Sequence, residues 1–272
     1  MKKNTVTLAV CIFFAAVLTA ENTYAATTDS VLVRDCLGYA YAAIAAAAML
    51  WLYISGKKQV DPEPGRFAAA DWEYFYFGAA VTAVSVNSFL GVFPAYNENL
   101  FRLDAVTQGP FLVTRMLFSC LGFVAGPLLL AAGAVRKPAF KAFSTAFAAI
   151  WSFIYLVSEC TFFIPLPDIS LYLPRLGTAV FTTLAFCCIT MAGKVGLHRS
   201  AAGLRSCSGM LVMFSISDAV FWLVYHNNAY HEMLFSSLLF SALFGLYFIW
   251  LSSALDFKFQ PLNPTGVTDN EI

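Results

Sequence analysis

The chain has 272 residues, of which 60% are hydrophobic and only 12% are charged. Soluble domains are about 45–50% apolar, so this composition excludes an ordinary soluble globular protein. The formal net charge at pH 7 is zero, which gives no attraction for nucleic acid or another polyanion. The charged residues are concentrated in short segments between long apolar runs, which is typical of a multi-pass membrane protein.

The first 25 residues have the pattern of a secretory signal peptide. Lys2 and Lys3 form a basic start, an apolar core follows, and small residues lead to a predicted cleavage after Ala25. An uncleaved first helix is the alternative interpretation. The signal is of a bacterial type, so we expect the mature chain in the bacterial cytoplasmic (inner) membrane as a multi-pass protein surrounded by the lipid bilayer.

Seven long apolar runs follow the predicted signal peptide. A run of about 20 helical residues crosses a hydrocarbon core of about 30 Å, because a helix rises about 1.5 Å per residue. The predicted spans are residues 36–55, 74–95, 111–135, 142–163, 176–193, 209–229 and 233–253. The predicted fold class is therefore all-α. We expect an integral membrane bundle of seven transmembrane helices over residues 26–257 and a cytoplasmic tail over residues 258–272.

Basic residues predict the orientation of the bundle, because cytoplasmic loops are enriched in lysine and arginine. When the mature N-terminus is placed outside, most basic residues fall in the three inner loops. These are Lys57, Lys58, Arg66, Arg136, Lys137, Lys141, Lys194, Arg199 and Arg205. The predicted outer loops contain Arg102 and Arg175. The pattern predicts an outer N-terminus and an inner C-terminus.

One carboxylate lies well inside a predicted span. Asp218 is near the middle of the sixth span, and it shares a helical face with Ser215, Trp222 and Tyr225. Ionisable side chains at this depth are costly and are candidates for function. We therefore predict a ligand pocket formed by Asp218, Trp222, Tyr225, Ser215, Ser237 and Ser241. The alternative is a protonated acid that only bonds a neighbouring serine or tyrosine.

A second polar group is predicted nearer the outer ends of the helices. Its core consists of Arg115, Glu159, Asp35 and Arg175, with His226 and Glu232 nearby. Arg115 opens the third span and Glu159 closes the fourth, so the two side chains are predicted to pair. The pair either belongs to a functional cluster or only fixes the packing of the helices.

Motifs for catalysis or metal binding are absent from the sequence. It contains no CxxC, no HExxH, no phosphate-binding loop and no serine-nucleophile motif. We predict no catalytic residues, no metal site and no enzyme activity. Cys36, Cys120 and Cys160 lie toward the predicted oxidising side, where one disulfide is an open alternative, whereas Cys187 and Cys188 are predicted to be packing residues.

Two segments resemble the proteorhodopsin branch of the microbial rhodopsins. "AVFWLVY" in the sixth span is similar to the family segment that carries a ring-packing tryptophan, here Trp222. "SALFGLYFIW" in the seventh span is similar to the segment of the retinal-binding lysine. It places Ser241 at the lysine position and Ser237 at an acid position. Arg115 matches the family arginine of the third span, but Phe118 stands where the family has its counter-ion acid.

The resemblance implies a seven-helix protein without covalent retinal, because the predicted spans lack a lysine near their middle. The lysines after the signal are Lys57, Lys58, Lys137, Lys141, Lys194 and Lys258. We expect no cofactor. The predicted function is that of a receptor-like protein, which binds a small apolar ligand or acts in sensing and signalling. Its expected partner is a membrane signalling protein or a second copy. A small-molecule transporter, a structural subunit of a membrane complex and an intramembrane enzyme are the alternatives.

Overall fold

The computed structural model describes residues 2–28, 30–57, 71–90, 105–135, 137–163, 173–192 and 197–224. These residues form seven α-helices and contain no strand. The helices are α1 (Lys2–Thr27), α2 (Val31–Lys57), α3 (Asp71–Leu90), α4 (Ala105–Ala134), α5 (Pro138–Phe163), α6 (Leu173–Ala192) and α7 (Leu197–Val224). The prediction of an all-α fold is confirmed for this part of the chain.

The seven described helices are not the same set as the seven predicted spans. Helices α2–α7 coincide with the first six predicted spans, and α1 covers the predicted signal peptide. The seventh predicted span, residues 233–253, and the tail over residues 258–272 lie outside the described residues. Helix α1 packs against α2 and α7. Cleavage after Ala25 therefore stays a prediction, and it would remove a packed helix.

Local sequence signals explain where several helices begin and how one continues. Ser30 caps α2, because its carbonyl oxygen accepts from the Arg34 amide at 3.0 Å and its hydroxyl lies 3.5 Å from the Val33 amide. Helix α5 begins at Pro138, where the fixed backbone angle of proline suits the first helical position. Helix α4 continues through Pro127 without a break.

Four of the described helices are long and apolar enough to cross a membrane, judged by length and composition. The candidate spans are Leu32–Ser55, Leu112–Ala134, Ala139–Thr161 and Leu173–Met191. Shorter apolar segments occupy Ala9–Ala25, Tyr74–Leu90 and Ser206–Phe221. These helices indicate a membrane protein. Residues 74–90 of the second predicted span and 209–224 of the sixth are helical, but their described apolar parts are shorter than the sequence predicts.

Helix α7 lies between α6 and the pair formed by α1 and α2. Each helix from α3 to α6 packs against the next helix in the chain. Helices α1 and α2 pack against α7 and against each other. Every residue from Ser206 to Ser215 is buried. The sequence predicts that one face of this helix points into the bundle, whereas in the structure this stretch is surrounded by neighbouring helices.

Polar and apolar side chains have an inverted distribution compared with a soluble protein. Large apolar side chains cover the outside, including Phe13, Leu32, Tyr39, Val113, Phe143, Ile150, Phe153 and Met191. Many serine and threonine side chains are buried, and their hydroxyls donate to carbonyls of their own helix, as Ser208 does to Leu204 at 2.6 Å. An apolar exterior and small hydroxyl-bearing residues between helices are typical of helix packing within a lipid bilayer.

Helices α3 and α4 approach each other closely at glycine residues. A Cβ added to Gly78 would lie 2.7 Å from the Leu130 amide nitrogen and 2.8 Å from the Gly126 carbonyl oxygen. A Cβ on Gly126 would lie 3.0 Å from the Gly78 carbonyl oxygen. Gly122 and Gly126 are four residues apart, so they form one small-residue strip along α4. This strip lets the two backbones touch, as in membrane helix pairs.

We expect Gly78→Ala to lower the free energy of unfolding by about 1–3 kcal/mol, because overpacking forces the α3 and α4 backbones apart. Gly203→Ala is the matched control, since a Cβ there would meet only the Cys188 Sγ atom, at 3.4 Å. The control should be neutral or stabilising, because alanine favours a helix by about 1 kcal/mol over glycine. Thermal unfolding of both purified variants in the same detergent measures the difference. Equal melting temperatures would contradict the close α3–α4 contact.

Candidate functional site

A fully buried carboxylate is held by two arginines at one end of the bundle. The Glu159 side chain is 0% exposed. Its Oε1 atom lies 2.7 Å from Nη1 of Arg115 and 3.3 Å from Nη2 of Arg175. Its Oε2 atom lies 2.7 Å from Nε of Arg175. Arg175 is therefore within ion-pair distance of both carboxylate oxygens, and both arginines donate hydrogen bonds to Oε1. The pairing of Arg115 with Glu159 predicted from the sequence is confirmed.

The chain order of the helices explains why these three residues meet. Glu159 lies in the last turn but one of α5, and Arg175 lies in the first turn of α6. Arg115 lies about three turns after the start of α4. Neighbouring helices that follow each other in the chain run in opposite directions. The end of α5 and the beginnings of α4 and α6 are therefore at the same end of the bundle.

Aromatic rings surround the Arg115 guanidinium. Its central carbon lies 5.7 Å from the ring centroids of both Phe118 and Tyr155, within the range of cation–π attraction. The Phe118 ring stacks on Trp151 at 5.0 Å. The Tyr155 side chain is also hydrogen-bonded to Arg175. The position at which the rhodopsin resemblance would place an acid is thus filled by an aromatic core residue, and Glu159 supplies the carboxylate for Arg115.

Asp218 belongs to the same electrostatic group as these ion pairs. It is buried on α7, and its carboxylate interacts electrostatically with the Arg175 guanidinium and with the Tyr155 phenol. The sequence placed Asp218 and the arginines in two groups at different depths. The structure combines them into one buried charge cluster, which consists of Arg115, Glu159, Arg175 and Asp218. Its formal charges balance when both acids are ionised.

On the α2 side of Asp218 the cluster is bordered by hydroxyl groups. Tyr41 is buried on α2, and its ring packs 5.9 Å from the Phe214 ring of α7. The Tyr41 hydroxyl lies against Ser217 and interacts electrostatically with both Asp218 and Glu21. Glu21 is half-buried on α1. Tyr41 on α2, Tyr155 on α5 and Arg175 on α6 therefore supply polar groups near Asp218.

The predicted pocket residues are only partly described by the structure. Ser215 and Asp218 are buried on α7. The side chain of Trp222 lies outside the described residues, as do Tyr225, Ser237, Ser241, His226 and Glu232. Asp35 is exposed on α2, so the structure places it outside the buried charge cluster.

The sequence reasoning overlooked four polar residues near the cluster, namely Tyr155, Tyr41, Ser217 and Glu21. For Tyr155 the sequence does contain a usable pattern. Trp151, Tyr155 and Glu159 recur every four residues along α5, so they share one face of the helix. The other three come from helices far apart in sequence, and no spacing rule connects them.

The cysteines form no disulfide, since all seven are free thiols. The Cys188 thiol on α6 contacts the Cys207 thiol on α7, so these residues pack the two helices together. In the part of the chain that the structure describes, no group of three or more histidine, cysteine, aspartate or glutamate side chains is arranged to hold a metal ion.

No family model, no curated protein and no solved structure shows significant similarity to this chain. The resemblance to the microbial rhodopsins rests on the short segments quoted above. The buried charge cluster is therefore the observation from which a function has to be inferred.

Proposed function

We propose that this chain is a receptor-like integral membrane protein that binds a small ligand inside its helical bundle, at the buried charge cluster. The observation that carries the proposal is the Glu159 carboxylate, which is completely buried between Arg115 and Arg175. Ionisable residues within an apolar bundle are expensive and typically mark a functional path or site. An apolar packing of similar volume would often be as stable as a buried ion pair or more stable.

The ligand class follows from the surroundings of the cluster. The Arg115 guanidinium lies over the rings of Phe118 and Tyr155, and Phe118 stacks on Trp151. A small amphipathic molecule would place its apolar part against such rings and its polar group against the charges. A small-molecule transporter is the runner-up. Transporter sites are typically built from broken helices, whereas α4 runs unbroken through Pro127.

Thermal stability of the purified full-length protein in nanodiscs tests the ligand proposal. A library of small amphipathic compounds should contain molecules that raise the melting temperature of the wild type. The same compounds should give no rise in Arg175→Lys, which keeps the charge but loses the two-point contact with Glu159. Ser208→Ala is the matched control, because this buried hydroxyl bonds only within α7. A compound that stabilises all three proteins equally binds elsewhere, and a library without any such compound contradicts the proposal.

We also propose the orientation that the basic residues predict, with the end of α5 and the start of α6 on the outer side of the membrane. This orientation places the charge cluster toward the outside, where a ligand could enter. Lys57, Lys137 and Lys141 would lie on the inner side.

A reporter joined after Ile272 should be active only as a cytoplasmic fusion, because the predicted C-terminus is inside. A second fusion truncated after Phe163, the last residue of α5, should report the periplasm. Paired alkaline phosphatase and fluorescent-protein fusions measure both positions. The opposite readout at either position would overturn the proposed orientation.

We further propose that the bundle has a rhodopsin-like layout without the covalent chromophore. Arg115, which the resemblance aligns with the family arginine, is buried. Lys141, in the first turn of α5, has its ammonium group 5.1 Å from the Tyr74 ring centroid. It is therefore engaged near the end of the helix that lies opposite the charge cluster.

Adding all-trans retinal to the wild-type protein should give no protonated Schiff-base absorption, because no lysine of the predicted spans lies near mid-membrane. Visible absorption before and after hydroxylamine treatment is the measurement. A visible band that hydroxylamine bleaches would contradict the prediction. Ser241→Lys alone should also fail to give a stable red-shifted pigment, unless Asp218 acts as its counter-ion.

A further inference from the structure

Two cysteines from neighbouring helices place their thiols against each other between α6 and α7. The Cys188 thiol of α6 forms a hydrogen bond with the Cys207 thiol of α7. The Cys188 sulfur also lies 3.4 Å from the point where a Cβ of Gly203 would stand. Gly203 and Cys207 are four residues apart on α7, so their side-chain positions are neighbours about 5–6 Å apart on one face. The Cys188 sulfur therefore lies along one turn of α7, between Gly203 and Cys207.

This arrangement suits the formation of a disulfide. Both thiols are reduced in the structure, and their side chains point toward each other, because the two sulfurs are in hydrogen-bond contact. A disulfide has a sulfur–sulfur bond of about 2.05 Å, and it forms only between cysteines whose Cβ atoms point toward each other. Since Gly203 has no side chain, the Cys188 sulfur has room to move along α7 toward Cys207.

Cys187 is the main competitor for this reaction, since it precedes Cys188 on α6. Adjacent residues of a helix point about 100° apart, so the two cysteines do not face α7 in the same way. The hydrogen bond to Cys207 is made by Cys188. Cys207 is 6% exposed, whereas Cys188 is half-buried. The accessible member of the contacting pair is therefore Cys188, and a reagent reaches the pair from the α6 side.

The surroundings of the two thiols define the kind of oxidant that reaches them. Cys188 lies within the candidate span Leu173–Met191, and Cys207 lies within the apolar segment Ser206–Phe221. An oxidant that enters such a region has to be uncharged and soluble in lipid, because transfer of a charged molecule into an apolar medium is costly. Quinones have these properties. A quinone also takes up two electrons and two protons, which is the number that two thiols release when they form a disulfide.

We propose that Cys188 and Cys207 are a redox-active dithiol, which a quinone dissolved in the membrane oxidises to a disulfide between α6 and α7. Both S–H bonds break and one S–S bond forms. The two protons and the two electrons pass to the quinone, which leaves as the quinol. A thiol reductant reverses the reaction by exchange with the disulfide. The proposal is independent of the ligand proposal, because neither cysteine belongs to the buried charge cluster.

The disulfide would act on two helices that also contribute to the charge cluster. Arg175 lies on α6 and Asp218 lies on α7, and their side chains interact. A covalent link between Cys188 and Cys207 would oppose the separation of these helices. It would also restrict the unfolded chain, which is the main way in which a disulfide stabilises a protein. Oxidation is therefore expected to raise the melting temperature.

The test uses the purified, reduced full-length protein in nanodiscs and duroquinone, a fully methylated benzoquinone without a free ring position for addition of a thiol. Peptide mapping by mass spectrometry should find a peptide that links Cys188 to Cys207, and the intact mass should fall by two hydrogen atoms. The melting temperature should rise by about 5–10 °C and return after reduction. A wild-type protein without this linked peptide, or one that links Cys187 to Cys207 instead, overturns the proposal.

Serine variants separate the disulfide from other effects of the quinone. Cys187→Ser should give the linked peptide and the rise in melting temperature, as the wild type does. Cys188→Ser and Cys207→Ser should each lose both. If Cys207→Ser does not fold, the half-buried Cys188→Ser still decides the question. An undiminished rise in melting temperature in Cys188→Ser would show that the quinone acts elsewhere and would overturn the site.

Discussion

Glu159→Leu is expected to lower the free energy of unfolding by about 3–5 kcal/mol, which would reduce the amount of folded protein in the membrane. The substitution removes the carboxylate that both Arg115 and Arg175 bind. Two buried guanidiniums would then face each other without that counter-charge. Equilibrium unfolding of the purified variant in detergent, together with its yield from membranes, measures the effect.

The two arginines provide matched comparisons for this prediction. Arg175→Leu should be less damaging than Glu159→Leu, because Glu159 would keep its 2.7 Å contact with Arg115. Arg115→Leu should be the mildest of the three, since Arg175 binds both carboxylate oxygens. Replacing Arg115 and Glu159 together by leucine should recover much of the stability, because Arg175 and Asp218 then still balance each other. If Glu159→Leu were as stable as the wild type, the ion pairs would contribute nothing to the fold.

Asp218→Asn is expected to leave expression and folding intact but to abolish the ligand-dependent rise in melting temperature. Asparagine has nearly the same shape and can still hydrogen-bond, but it loses the charge that acts on Arg175 and Tyr155. Asp218→Leu should in addition destabilise the protein by about 1–3 kcal/mol, because leucine also removes the hydrogen-bonding groups that asparagine keeps and leaves the buried partners of Asp218 unsatisfied.

This second prediction differs from what the sequence alone suggests. An isolated ionised acid at the centre of a span costs about 2.5–3.5 kcal/mol on insertion scales, so leucine would be expected to help insertion. In the structure Asp218 interacts with Arg175, and its removal disturbs an existing charge balance. Ser208→Ala serves as the control for a buried polar change on the same helix. Unchanged ligand response in both Asp218 variants, with equal or higher stability, would show that Asp218 is only a tolerated core residue.

The sequence by itself determined the all-α fold class and the positions of helices α2–α7. Long apolar runs between short polar segments define α2–α7, because the length of a helix and the hydrocarbon thickness are directly related. It also singled out Asp218, Arg115, Glu159 and Arg175, since charged residues stand out in a chain with only 12% of them. These features are local, and composition and spacing are enough to read them.

Only the tertiary structure decided which of these charges meet. The Arg115–Glu159 pair could be read from two neighbouring spans, whereas Asp218 joined the same cluster only once α7 was packed between α6 and the α1–α2 pair. The sequence likewise separated α1 from the bundle as a signal peptide, because a basic start and small residues near Ala25 carry no information on packing. Burial of Tyr41 and Ser217 beside Asp218 depends on how helices far apart in sequence fit together. Contacts of that kind depend on the shapes of several helices at once, so no local pattern records them.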